Sequence, residues 1–253
     1  MEFDSDSIAE ARVLDLDGDG TFRFACHGGV ACFTRCCHDA DMYLYPYDII
    51  RLKRRLCISS TEFLARHTFT AFRDNPHFPS VMLKMSDLPG KPCPFLSQSG
   101  CAVYEDRPYS CRAYPLEPLI YGTGGGRFSI RARIVRHDHC LGHGEGREWT
   151  VRGWMADQGM DEYNAINAQW ARVSSLFQQR PPEGQALRMV FMASYDMDTF
   201  RRFVFESSFL SRFEVPEARL QAVRDEDVAL LELGGDWILR FLGGAGPLRV
   251  RCA

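Results

Sequence analysis

The chain lacks a long apolar run, an excess of basic residues and any C-x-x-C pair, and each lack narrows what it can be. Without about 20 consecutive apolar residues no segment can cross a bilayer as a helix, so no membrane role is expected. The amino terminus, Met1-Glu2-Phe3-Asp4-Ser5-Asp6-Ser7, is acidic and has neither the basic start nor the apolar core of an export signal; a cytoplasmic protein is expected. Thirty basic against 33 acidic side chains give a formal net charge of -3. That balance supplies no general positive field for a nucleic-acid backbone, and nucleic acid is not expected as a partner. The missing C-x-x-C removes the simple zinc-finger and zinc-ribbon templates. The C-x3-C-x2-C pattern of radical enzymes fails as well, because Cys32-x3-Cys36 begins it but Asp39 stands where the third cysteine belongs.

Cysteine itself is abundant. Ten are present, and eight fall in three clusters: Cys26, Cys32, Cys36 and Cys37, then Cys93, Cys101 and Cys111, then Cys140. In a reducing compartment so many thiols are explained by a bound transition metal better than by disulfides or packing. Four thiolates close a tetrahedral zinc site or hold the corners of a [4Fe-4S] cluster, so eight could furnish one site or two, and zinc and an iron-sulfur cluster both stay open. The vicinal pair Cys36-Cys37 is the most restrictive feature, because neighbouring side chains diverge unless the backbone folds tightly. Cys57 and Cys252 lie outside the clusters and are read as ordinary. His27, His38, His137, His139 and His143 stand beside cysteines and are read as neighbours of a thiol site rather than as its ligands. Histidines also flank Cys26, Cys37 and Cys140, but no order typical of a cysteine hydrolase emerges.

Local patterns place these residues. Val13 to Asp17 and Thr21 to Phe24 are predicted as two short strands around the tight turn Gly18-Asp19-Gly20, delivering Cys26 to the first cluster. Asp15, Asp17, Asp19 and Gly20 imitate the opening of a calcium loop, but its twelfth position is Cys26 where a bidentate Glu is needed. Tyr47 to Leu56 and Thr61 to His67 read as helices, the second capped by Ser59 with Glu62. Ser80 to Met85 reads as a strand, and Leu116 to Tyr121 with Phe128 to Val135 as a hairpin closed by a glycine-rich tip. That tip is followed by a strand rather than a helix, which argues against a dinucleotide or methyl-donor loop. Arg127, Arg131 and Arg133 share one strand face, either a solvated face or an anion-binding one.

From Glu148 onward helical periodicity takes over. Trp149, Trp154, Tyr163, Ile166, Trp170, Val173 and Phe177 fit two helices parted near Gly159, interrupted at Pro181-Pro182-Glu183-Gly184. Three further helical segments are expected, Asp198 to Phe213, Pro216 to Arg224 and Asp225 to Leu242, the last distorted at Gly234-Gly235. The fold expected is α+β: a cysteine-rich metal-binding domain over residues 1–145, with small hairpins and short helices, followed by a helical subdomain over 146–253.

One ordered set of motifs resembles a known family. Cys32 to the Cys36-Cys37 pair, Asp48-Ile49-Ile50-Arg51-Leu52, Glu62-Phe63-Leu64, Cys93-Pro94-Phe95-Leu96, Cys101 through Arg107-Pro108, Cys111-Arg112-Ala113-Tyr114-Pro115 and Cys140-Leu141-Gly142-His143-Gly144 resemble the YkgJ-type cysteine-cluster family of zinc- or iron-chelating domains. The chain departs from the compact C-x2-C-x2-C-C run of that family, having intervals of five and three residues. Flagellin lysine methylases are the family members with an activity and are associated with an iron-sulfur cluster. The resemblance therefore implies an iron-sulfur cluster, [4Fe-4S] in kind, and a protein substrate or partner, while the chain itself carries no methyl-donor fingerprint. Whether the protein is catalytic stays open, and a zinc-stabilised interaction module and a metal carrier or redox sensor stand as alternatives. Under either metal, Arg107 and Arg112 are expected to balance the charge of an anionic cluster, with Tyr104, Tyr109, Tyr114, Pro94 and Pro115 as a wall against water. A substrate is expected to meet the residues around Trp149, Trp154, Tyr163, Asn167 and Trp170.

Overall fold

The computed structural model describes residues 14–16, 19–73, 75–122, 128–244 and 246–251. The fold is α+β, with short antiparallel strands and more helix than strand. Among the described residues no helix is long and apolar enough to cross a membrane. The glycine-rich hairpin tip and Cys252 lie outside the described residues, as does part of the calcium-like loop.

Two compact units interleave along the sequence. One draws on residues 1–40, 85–102 and 109–164, and the other on 41–84, 103–108 and 165–253. Within the first unit Glu148–Thr150 lies antiparallel to Thr21–Arg23, with Thr150 opposite Thr21, so a strand beyond residue 145 pairs with one near the start of the chain. All eight clustered cysteines fall in the first unit.

In that unit Leu116–Gly122 and Phe128–Ile134 form the expected antiparallel hairpin. The strand Leu14–Leu16 adds to its far side, pairing Leu14 with Ile134. The predicted hairpin between the first two strands is therefore corrected, since they join different sheets. Alternation does hold along Arg131 to Ile134: Ala132 and Ile134 are buried, Arg131 is exposed and Arg133 half-buried. The core beneath is aromatic. Phe24 meets Tyr114 and Trp154 edge-on at 5.6 and 5.5 Å, and Trp149 meets Trp154 at 5.1 Å. Each such ring, once buried, contributes on the order of 2 kcal/mol through area alone.

In the second unit Ser80–Leu83 is the middle strand between Tyr43–Leu44 and Thr68–Ala71. Helix Pro46–Leu56 starts with proline in its first turn and a capping box in which Asp48 accepts from the Tyr45 N–H at 2.8 Å. Helix Ser60–His67 starts as expected, with the Ser59 hydroxyl accepting from the Glu62 N–H. The inward face of the first helix carries Lys53, buried but neutralised by Asp198 at 2.9 Å and Asp227 at 3.1 Å. The remaining helices include Gly184–Tyr195, absent from the sequence reading, then Met197–Glu206, Phe209–Arg212, Glu217–Asp225 and Asp227–Gly243.

The last of these corrects another expectation, because it runs unbroken through Gly234-Gly235 to a left-handed cap at Gly244. Gly234 is there for packing. A Cβ on it would stand 2.5 Å from the Ala193 carbonyl oxygen, so only glycine lets the two backbones approach. At Gly235 the nearest neighbour is a Val173 methyl at 3.5 Å, an ordinary contact. Gly234→Ala should therefore destabilise the protein by ~1–3 kcal/mol through overpacking. Gly235→Ala should be neutral or stabilise by up to ~1 kcal/mol through helix propensity. Urea unfolding of the pair checks the prediction, and equal losses from both would refute the packing argument.

Candidate metal centre

The first cysteine cluster is shaped by a run of tight turns. Phe24 N–H donates to the Arg147 carbonyl and Ala25 N–H to the Gly142 carbonyl, both at 3.1 Å, which lays the chain before Cys26 along the segment after Cys140. Gly142 is required here, since a Cβ would meet the Ala25 oxygen at 2.5 Å and the Phe24 ring at 2.8 Å. Cys32 is buried, and its sulfur accepts from the Leu141 N–H at 3.1 Å. Thr34 then adopts the left-handed region at φ 68°, and Arg35–Cys37 form a 3-10 turn. This is the tight folding that a vicinal pair needs, and it brings the Cys36 and Cys37 thiols into a hydrogen bond with each other.

The second cluster is fastened to the first by a short antiparallel seam. Asp39 N–H donates to the Lys91 carbonyl at 3.0 Å, His38 bridges to Pro92, and Cys93 N–H donates to the Cys37 carbonyl at 2.7 Å. The ion pair of Lys91 with Asp39 at 2.8 Å lies on the same seam but is exposed and adds little. The chain then turns through Leu96, whose N–H donates to the Cys93 carbonyl. Leu96 pairs with Cys101 across a two-residue hairpin, so Cys101 returns beside Cys93. Cys111 is carried by the short helix Tyr109–Ala113.

These thiols feel one another. The Cys37 thiol is pushed far up, first by its hydrogen bond with Cys36, then by burial and by the charges of Cys36, Cys111 and Cys93. Cys93 is pushed up by burial first, with Cys101 and Cys36 adding to the rise. Cys36 moves the other way, to about 7, chiefly because Cys37 donates to it, with His38 helping. Cys36, Cys37, Cys93, Cys101 and Cys111 thus form one electrostatic group, although they come from three separated stretches of chain. Cys140 joins through Tyr114, whose phenol is raised by burial first, then by a hydrogen bond with Cys140, and lastly by Cys36.

Among the described residues no three His, Cys, Asp or Glu side chains converge to the distance at which a single metal ion could be held. The donor chemistry nevertheless fits a metal. As bare thiols, Cys36 is drawn toward its thiolate while Cys37 and Cys93 resist ionisation. A central cation removes that mutual repulsion and permits several thiolates at once.

The other predicted site residues have different surroundings. Arg107 belongs to the second unit, where it donates to the Tyr104 carbonyl at 2.7 Å and lies over the Tyr104 ring at 3.9 Å. Arg112 donates to the Gln158 carbonyl at 2.6 Å and covers the Tyr163 ring at 4.8 Å, bracing the end of helix Val151–Asp157. Of the expected wall, Tyr114 stacks on His137 at 5.7 Å, Tyr109 is buried and donates to Asn164 at 2.6 Å, Pro115 is buried, and Tyr104 and Pro94 are exposed. Trp149 and Trp154 donate to the Phe24 and Ala113 carbonyls at 3.0 Å each. Those two indoles brace the chain on either side of the cysteines. Sequence reasoning missed that role, for which the aromatic spacing alone gave no signal.

Residues 25–141 match the family model CxxCxxCC, described as a putative zinc- or iron-chelating domain. That match agrees with the cysteine-cluster resemblance of the motifs. The match spans Cys26 to Cys140 and supports metal binding by this part of the chain. No curated protein and no solved structure matches the chain.

Single Cys→Ser changes at Cys37, Cys93 or Cys101 should reduce bound metal by at least half and lower the melting temperature, because a metal held by these thiols would tie together distant segments. Cys57→Ser, at an exposed thiol of the other unit, should change neither. Metal analysis with thermal melts checks this, and full metal with an unchanged melt in all three cluster variants would refute it.

Proposed function

We propose that the cysteine-cluster segment holds an iron-sulfur cluster, ligated from within the group Cys36, Cys37, Cys93, Cys101 and Cys111, with Cys140 adjoining. The observation that carries the proposal is the gathering of these thiols from three stretches of chain closely enough to shift one another's ionisation, and the choice of a cluster over a single ion comes from the lysine-methylase resemblance. A tetrahedral ion with metal–sulfur bonds of about 2.3 Å needs all its sulfurs within roughly 4 Å of one another. A polynuclear cluster instead presents its ligation points at separate corners. Bound there, it would supply one-electron chemistry. The protein's own part would be to keep water away with the Tyr114, His137 and Phe24 rings and to balance charge with nearby donors.

The resemblance to lysine methylases extends the proposal to a protein-modifying reaction, for which saturable binding of S-adenosylmethionine is the direct test. A second reading, a metal carrier or redox sensor, is favoured by one observation: Cys36 is exposed and its thiol lies at about 7, within reach of oxidants at neutral pH.

Protein isolated anaerobically should be brown, with visible absorption that bleaches on reduction and with iron and acid-labile sulfide in equal amounts. Colourless protein with stoichiometric zinc would sink the iron-sulfur assignment and leave a zinc-stabilised interaction module. Rapid metal transfer to a chelator, without unfolding, would favour the carrier instead.

A further inference from the structure

The second unit contains a cavity of about 170 Å³ with an unusual lining. It is smaller than drug-sized pockets of roughly 300–1,000 Å³, so it suits a single chemical group rather than an extended molecule. Six of its lining residues are aromatic: Tyr43, Tyr45, Phe78, Trp170, Phe177 and Tyr195. The rings meet as walls. Phe78 lies nearly parallel to Tyr195 at 6.4 Å and 17°, and packs on Phe177 at 4.4 Å. Trp170 stands across both, at 70° to Tyr195 and 65° to Phe177, with centroids 5.7 and 5.9 Å away. Phe78, Phe177 and Tyr195 are buried, whereas Tyr43, Tyr45 and Trp170 are half-buried, so the cavity has a closed floor and an open rim.

Aromatic faces present negative potential, and no Lys, Arg or His is among the described lining residues. Tyr195 has its phenol pushed far up by burial first, with Tyr45 and the buried Asp48 carboxylate adding to the rise. An anion would be disfavoured there; a strongly hydrated ammonium would have to exchange its whole water shell for Asn75, Ser80, Ser174 and the tyrosine hydroxyls, at a high desolvation cost. An alkylated ammonium carries positive charge, little hydration and an apolar surface.

We propose that this aromatic cavity is a binding site for an N-methylated ammonium group. Two sources present that chemistry, a free quaternary ammonium metabolite and a methylated lysine side chain. The inference rests on the second unit alone and is independent of the metal assignment.

Calorimetric titration of the full chain with choline, and separately with the amide of N-acetyl-Nε-trimethyllysine, tests it. Saturable binding of either probe is expected, and the tighter one identifies the source. The uncharged isostere of choline, 3,3-dimethylbutan-1-ol, should bind at least tenfold more weakly than choline, because shape is kept while the charge is lost. Trp170→Leu should weaken the charged probe about tenfold, and Trp170→Phe much less, with the unfolding midpoint measured for both. No saturable binding of either charged probe would overturn the proposal. So would equal binding of the isostere, which would mark a merely apolar cavity. Because the isostere comparison uses the unaltered chain, a variant that folds poorly leaves the test intact.

Discussion

The cysteine unit depends on one short antiparallel seam, residues 37–39 against 91–93. Its closing hydrogen bond, Cys93 N–H to the Cys37 carbonyl at 2.7 Å, registers two thiols that are far apart in sequence. Cys36 is fixed by the 3-10 turn that leads into this seam, and Cys101 by the hairpin that leaves it. A backbone hydrogen bond of this kind fixes the register of one segment against the other. A site built across distant segments also has an energetic consequence: a metal that binds the folded form alone stabilises it by mass action.

Charge explains why such a group calls for a cation. Thiolates crowded together in a partly desolvated space raise one another's cost of ionisation, as Cys37 and Cys93 show. Cys36 escapes because Cys37 donates to it and His38 stands nearby. The second unit solves its own charge problem differently. Lys53 is buried there, but Asp198 and Asp227 flank it, and Asp198 in turn exchanges hydrogen bonds with Ser60. Burial tends to raise the Asp198 carboxyl, yet the bonds from Ser60 and Lys53 hold it below the usual range.

What could be read from the sequence was local. The Ser59–Glu62 cap, the helix before it and the hairpin at 116–134 depend on residues a few positions apart, and all formed as the residues dictate. Alternation at Ala132 and Ile134 likewise followed from period two. The failures were non-local. The short strands at 14–16 and 21–23 satisfy a hairpin rule, but better partners at 134 and 148–150 claim them. Gly234-Gly235 reads as a break until the Ala193 carbonyl is seen to occupy the space a side chain would need. The cysteines were legible as a set, and the family match over 25–141 agrees with that reading. Their grouping around Cys36 and Cys37 was not, because it follows from a left-handed Thr34 and a seam that no spacing rule encodes.

Thiol accessibility in native protein tests the central claim most directly. Anaerobic protein with its metal bound is treated briefly with an alkylating reagent, before and after metal removal, and each cysteine is followed by mass spectrometry. The account predicts that Cys37, Cys93, Cys101 and Cys111 are protected together and become labelled together once the metal is withdrawn, while exposed Cys57 is labelled in both states. Labelling of these four cysteines at unrelated rates, unaffected by metal removal, would contradict a shared thiolate centre.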